Sequence, residues 1–187
     1  HSSTSVSAAL GIARAKQLKG DKSHTIAFIG DGSFTGGLAF EGINNAGRFK
    51  GNFIVILNDN KMSISKNVGA MSRHLNAMRI SPWYVGAKGR LEGFLNKVPC
   101  VGAPVVRGLT RFKNWIKKKI YKTNLFENFG FHYYGPVDGH NLEDLINVLK
   151  IAKAHDKPVL IHAVTVKGKG YQFAENDPKS FHGIGSF

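Results

Sequence analysis

Two short apolar runs, Thr25 to Ile29 and Phe53 to Leu57, each break off into a polar cluster, Gly30-Asp31-Gly32 and Asn58-Asp59-Asn60. A short continuous apolar run bounded by turn residues is the pattern of a strand buried on both faces. Between the runs, Leu38, Ala39, Ile43 and Ala46 recur at helical spacing and predict a helix over Leu38 to Ala46. A strand, helix, strand unit closes with a right-handed crossover, which makes the two strands parallel and brings both polar clusters to one edge of the sheet. The rest of the chain fits that frame. Val6, Ala9, Leu10 and Ala13 predict a helix that stops at Gly20. Leu142, Leu145, Ile146, Leu149 and Ala152 predict another, with Asn141 as cap, Glu143 and Asp144 early and Lys150 and Lys153 late, as the helix dipole favours. Pro158 opens a further strand running through Val166. The expected fold is α/β, a parallel sheet with helices on both faces.

The segment from Met71 to Thr110 is less regular, with glycines at 86, 89, 93, 102 and 108 and prolines at 82, 99 and 104. It reads as short helices and mobile loop inserted in the domain. No apolar run approaches the roughly 20 residues of a membrane span, so no membrane partner is expected. A lone cysteine, Cys100, can form neither an intramolecular disulfide nor a thiolate metal cluster and fits a reducing compartment such as the cytoplasm. The opening His1-Ser2-Ser3-Thr4 has neither a basic start nor an apolar h-region. It reads as a cut edge from which no targeting can be inferred.

A formal net charge of +14 raises the question of nucleic acid. The densest basic stretch, 107–122, holds Arg107, Arg111, Lys113, Lys117, Lys118, Lys119 and Lys122 and no acid. Trp115, Ile116 and Ile120 within it could give a helix one apolar stripe, so the lysines read as a solvated face and no nucleic-acid partner is expected.

The chemistry lies in the two polar clusters. In a parallel sheet, ligands bind at the carboxyl ends of strands, and glycines 30 and 32 would let a diphosphate approach the backbone closely. The helix expected after Ser33 would turn its first N–H groups toward a phosphate. An aspartate between the glycines would repel that diphosphate unless a cation lay between them. The hard cation that takes oxygens from a carboxylate, an amide and phosphates together is Mg²⁺, or Ca²⁺ in its place. The two clusters read as a diphosphate site with a bridging metal.

Gly30-Asp31-Gly32 followed by an asparagine at the end of the next strand resembles the thiamin-diphosphate fingerprint of transketolase-like enzymes. The segments His1 to Ser5, Asn58 to Ser65, Tyr134 to His140, Lys167 to Tyr171 and Phe181-His182-Gly183 match, in order, the 1-deoxy-D-xylulose-5-phosphate synthase family in particular, and the resemblance runs from end to end of the chain. It implies a thiamin-diphosphate-binding fold of the diphosphate (PP) type, over residues 1–187 and incomplete. The family's upstream segment, its pyrimidine-binding domain with the activating glutamate and its C-terminal domain would be absent. It also implies a transferase that condenses pyruvate with D-glyceraldehyde 3-phosphate to 1-deoxy-D-xylulose 5-phosphate and CO2, serving isoprenoid, thiamin and pyridoxal biosynthesis, as a homodimer when complete. The isolated polypeptide would be inactive. By the same resemblance the metal ligands are the Asp31 carboxylate, the Asn60 side-chain oxygen and the Met62 carbonyl, with Asn58 as the alternative to Asn60. Ser33 and the N–H groups around Gly30 and Gly32 contact the diphosphate. Lys167 lies near it, and His1 and His182 are catalytic groups in the cofactor and substrate region. His140, after Asp138-Gly139, reads as turn support, and Glu41 as a surface or subunit-contact residue.

Other readings stay open at this point. Another transketolase-like thiamin-diphosphate enzyme shares the fingerprint, and a basic nucleic-acid-binding module would need the charge gathered on one face. A dinucleotide-binding dehydrogenase fits less well, because glycines at 30, 32 and 36 miss the G-x-G-x-x-G spacing.

Overall fold

The computed structural model describes residues 2–60, 69–80 and 125–183. The chain divides into two compact units, His1–His74 with Leu125–Phe187, and Leu75–Asn124. The first unit is built on a four-stranded sheet of β1 (Thr25–Gly30), β2 (Phe53–Asp59), β3 (His132–Asp138) and β4 (Val159–Val164). Their spatial order is β1-β2-β4-β3 and every pairing is parallel. Helices α1 (Ser5–Leu18), α2 (Asp31–Phe34) and α3 (Gly37–Ala46) precede β2; α4 (Ala70–Ile80) and α5 (Leu125–Asn128) precede β3. Then α6 (Leu142–Lys153) joins β3 to β4, and α7 (Gln172–Asn176) comes after β4.

Parallel register puts paired residues on one face, so the sheet's two sides are set by the pairing. One face carries Ala27, Ile29, Val55, Leu57, Leu160 and His162, all buried, with α1 and α2 packed on β1 and β2 and α3 packed on α1. Val6, Ala9 and Ala13 are the buried stripe of α1, and Ala39, Ile43 and Ala46 that of α3. The opposite face carries Ile54, Val159 and Ile161, on which Val148, Leu149 and Ala152 of α6 pack with Ile56, Tyr134 and Val137. Asn141 caps α6 as expected, its Oδ1 accepting from the N–H groups of Glu143 at 3.1 Å and Asp144 at 3.2 Å. Such a cap contributes about 1 kcal/mol.

Two expectations need correction. The run Thr25 to Ile29 is not buried on both sides: β1 is the edge strand, and Ile26 and Phe28 are 49% and 61% exposed. Helix α6 covers the β2-β4-β3 part of that face and leaves β1 uncovered among the described residues. Nor does the first helix wait until after Ser33. A single turn, α2, starts at Asp31 itself, and the longer helix begins at Gly37. Of the segment 71–110, the part up to Ile80 belongs to α4, and the remainder lies outside the described residues, as does the basic stretch 107–122. Among the described residues, no helix is long and apolar enough to cross a membrane.

At the start of β3, the His132 ring stacks on His155 at 4.3 Å, and the Tyr134 hydroxyl lies 2.6 Å from His155 Nε2. Burial lowers the His132 pKa below its usual 6.5, helped by the neighbouring charges of His155 and Lys157. A histidine held below its unfolded value adds stability that is full above pH 6.5 and is lost as pH falls through the folded value. Chemical denaturation should therefore show stability falling on acidification below about pH 6.5, and His132→Gln should flatten that part of the profile. An unaltered slope in the variant would assign the acid sensitivity elsewhere.

Candidate functional site

All four strands end on one edge, where β1 and β2 run directly into the polar clusters. β1 ends in Gly30, and the buried Asp31, 2% exposed, comes next. Gly30, the last residue of β1, pairs with Asn58 of β2, and the chain then turns into α2 at Asp31 while β2 runs on to Asp59, with Asn60 next in sequence. Two carboxylates at adjoining strand ends, each almost wholly withdrawn from water, demand compensation. At Asp59 that compensation includes His162, whose Nε2 lies 2.7 Å from its Oδ2 with both side chains 0% exposed. Asn58 is engaged too, its Oδ1 accepting from the Thr165 hydroxyl at 2.7 Å. That bond ties the end of β2 to the segment after β4.

The space around Asp31 suits a phosphate-bearing ligand. A methyl group built on Gly30 would meet nothing within 4 Å. Thr35 Oγ1 donates to the Gly32 carbonyl at 2.8 Å and Ser3 Oγ to the Ser33 carbonyl at 2.6 Å, which ties the opening residues of the chain to α2. Gly36 is required for that tie, since a Cβ there would stand 2.2 Å from Ser3 Oγ. A buried carboxylate, an amide one strand away and open backbone at a glycine form a donor set of hard oxygens that fits a magnesium-bound diphosphate. Met62 and His1 lie outside the described residues.

Beyond β4 the structure brings together two residues the resemblance assigns separately. Lys167 Nζ and His182 Nδ1 are hydrogen-bonded to each other. Several local contacts close this loop. Gly168, with φ +77°, packs against Ala174 of α7, and Gly170 N–H donates to Glu175 Oε1 at 2.8 Å. Tyr171 meets Phe181, the neighbour of His182 in sequence, edge-on at 5.7 Å. His140 is turn support, as its sequence context implies: its Nε2 accepts from Val166 N–H at 2.8 Å, so the ring proton sits on Nδ1. Glu41 is exposed on α3 and lines a groove of about 810 Å³ with Arg14, Asn44, Asn45 and Arg48.

Sequence reading misses the group formed by the buried Asp59 and His162 with the half-buried Tyr133. Tyr133 OH stands 2.8 Å from His162 Nδ1, and the Tyr133 ring stacks on Phe126 at 5.7 Å. A histidine inside an otherwise apolar strand, Val159-Leu160-Ile161-His162-Ala163, is the available signal, because a buried imidazole demands partners.

The family model described as 1-deoxy-D-xylulose-5-phosphate synthase matches residues 1–165. The chain is 52% identical over 187 residues to the 1-deoxy-D-xylulose-5-phosphate synthase of Clostridium kluyveri, covering all of this chain and 30% of that protein. It is 51% identical to the Clostridium tetani enzyme of the same name and 49% to that of Treponema pallidum, with the same coverage. The chain thus spans 30% of the length of these curated relatives. With a match of this extent, the chain belongs to the 1-deoxy-D-xylulose-5-phosphate synthase family.

Proposed function

We infer that this chain supplies the diphosphate- and metal-binding part of a thiamin-diphosphate-dependent transferase that condenses pyruvate with D-glyceraldehyde 3-phosphate, releasing CO2 and forming 1-deoxy-D-xylulose 5-phosphate. One observation carries the reading beyond family membership: the Asp31 carboxylate is buried at a strand end, beside open backbone at Gly30 and one strand from Asn60. Asp31, Asn60 and the Met62 carbonyl would hold Mg²⁺. Gly30, Gly32 and Ser33 would hold the diphosphate, and Lys167 would stand near it. When bound, thiamin diphosphate supplies the nucleophilic carbon and the electron sink for decarboxylation.

The chain's own contribution is position and electrostatics. A carboxylate fixed at the end of β1 cannot swing away, so its charge is preorganised toward the cation. His182, which is joined to Lys167, would donate to substrate oxygens or hold a proton there. His1 is assigned to the same region. The catalytic unit would be a homodimer, as the resemblance implies. The test is a product assay on the intact protein with pyruvate, D-glyceraldehyde 3-phosphate, thiamin diphosphate and Mg²⁺. Formation of 1-deoxy-D-xylulose 5-phosphate is expected, and a ketose from transfer of a two-carbon unit between sugars would point instead to a transketolase.

A further inference from the structure

We propose that the buried pair Asp59 and His162, with the half-buried Tyr133, is a positioning brace that fixes the two metal-binding strand ends relative to each other, an inference that rests on the cofactor reading above. The brace is a continuous chain of contacts. Asp59 directly precedes Asn60 and closes β2. Its Oδ2 meets His162 Nε2 at 2.7 Å, across from β2 to β4. His162 Nδ1 meets Tyr133 OH at 2.8 Å, across from β4 to β3. The Tyr133 ring stacks on Phe126 at 5.7 Å, and Phe126 meets Phe34 edge-on at 5.7 Å. Phe34 is the last residue of the one-turn helix that begins with Asp31. The chain of contacts therefore starts at the neighbour of one proposed ligand and returns to the turn that carries the other.

Its chemistry suits a rigid role. A carboxylate only accepts, so His162 Nε2 bears the proton toward Asp59, and the Tyr133 hydroxyl serves Nδ1. Asp59 and His162 are both 0% exposed, so the bond between them does not compete with water, while the Tyr133 bond is part-buried. The backbone adds a further restraint, since Thr165 N–H donates to the Asp59 carbonyl at 3.0 Å. With the carbonyl and the carboxylate of Asp59 both held, the peptide leading into Asn60 has little freedom. The residues touch neither metal nor substrate on this reading. They act through Asn60 and Asp31.

The experiment titrates Mg²⁺ into the intact protein at saturating thiamin diphosphate and measures cofactor uptake by calorimetry, with the unfolding midpoint measured separately without cofactor. His162→Gln reaches the Nε2 position and can still donate to Asp59, whereas His162→Asn mimics only the Nδ1 side and leaves Asp59 without its donor. His162→Asn should raise the Mg²⁺ concentration for half-saturation by about tenfold or more, in the range seen for outer-shell partners, and His162→Gln should restore most of it. Tyr133→Phe keeps the ring stack and removes only the hydroxyl, so it remains the deciding variant if His162→Asn does not fold; a rise of roughly threefold is expected, below the usual outer-shell range because Asp59 keeps its donor. Unchanged half-saturation in the folded variants, even with lowered unfolding midpoints, would overturn the brace and leave a purely structural pair. Absence of magnesium-dependent thiamin diphosphate uptake by the unsubstituted protein would instead overturn the cofactor reading itself.

Discussion

Asp31→Ala in the intact protein is expected to abolish magnesium-dependent thiamin diphosphate binding at ordinary cofactor concentrations. Outer-shell partners of a metal typically matter by about 10–100-fold, and a direct carboxylate ligand should exceed that range. The reason is electrostatic before it is geometric. Mg²⁺ gives up its hydration reluctantly and keeps to sites with anionic oxygens at octahedral positions, so a neutral alanine leaves only an amide and a carbonyl to compete with water. The diphosphate then loses the cation that makes its approach to the strand end favourable. Asp31→Asn separates the two factors, because it retains an oxygen at the same place and removes the charge; its loss should be intermediate. Calorimetric titration of thiamin diphosphate at several Mg²⁺ concentrations reads both effects, with circular dichroism to confirm that each variant is folded. Equal affinity and equal magnesium dependence in Asp31→Ala would remove Asp31 from the site.

How much of this is legible in the sequence depends on whether the determining contact is local. The edge where ligands bind is readable because β1 and β2 are short apolar runs that stop abruptly at Gly30 and Asp59. The cap and charge pattern of α6 is readable for the same reason: Asn141, Glu143 and Asp144 act on a helix turn only a few residues away. β3 is not readable as a strand, because Gly135-Pro136 interrupts it and Pro within a run argues against a paired strand. The register of β3 against β4 does slip at that point, between Tyr134 and Val137. The partnership of Asp59 with His162 spans 103 residues and depends on strand order, which no periodicity encodes. Strand order also decides that β1 lies at the edge. Its composition is that of a buried strand, but position in the sheet, not composition, sets which side chains are covered.

The resemblance names residues that periodicity cannot, and the structure adds relations among them. Lys167 and His182 come from separate motifs, and the loop that unites them needs Gly168 in a left-handed conformation and an edge-on ring pair, Tyr171 with Phe181. Neither requirement can be read from either motif alone.

Glycines give the second large effect, because two of them with opposite surroundings separate folding from binding. Gly47 ends α3, and a Cβ there would lie 1.6 Å from the Phe129 carbonyl oxygen and 2.8 Å from its carbon. The approach is reciprocal: a Cβ on Gly130, at φ +95°, would lie 2.5 Å from the Gly47 oxygen. Backbone meets backbone, so no side chain can rotate away to make room. The Phe129 segment is also anchored on both sides, by Phe126 at 0% and Phe131 at 3% exposure, and by the edge-on contact of Phe129 with Phe40 at 5.2 Å. Gly47→Ala must therefore shift the end of α3 or unseat that turn, at a cost of about 3 kcal/mol or more, the upper end for overpacking. For a chain of this size that corresponds to a melting temperature lower by roughly 6–12 °C. Gly30 is the counterpart. Its φ of −80° and ψ of 156° suit any residue, and its Cβ would meet nothing within 4 Å. Gly30→Ala should leave the melting temperature within about 4 °C, since a compatible Gly to Ala change adds at most about 1 kcal/mol of stability. On the cofactor reading the added methyl would occupy the space that the diphosphate needs, so thiamin diphosphate affinity should fall while the fold stays intact. Thermal denaturation and calorimetric titration on the two variants test both statements together. Unchanged affinity in Gly30→Ala would move the diphosphate away from this strand end, and an unchanged melting temperature in Gly47→Ala would show that α3 and the Phe129 turn are not in backbone contact.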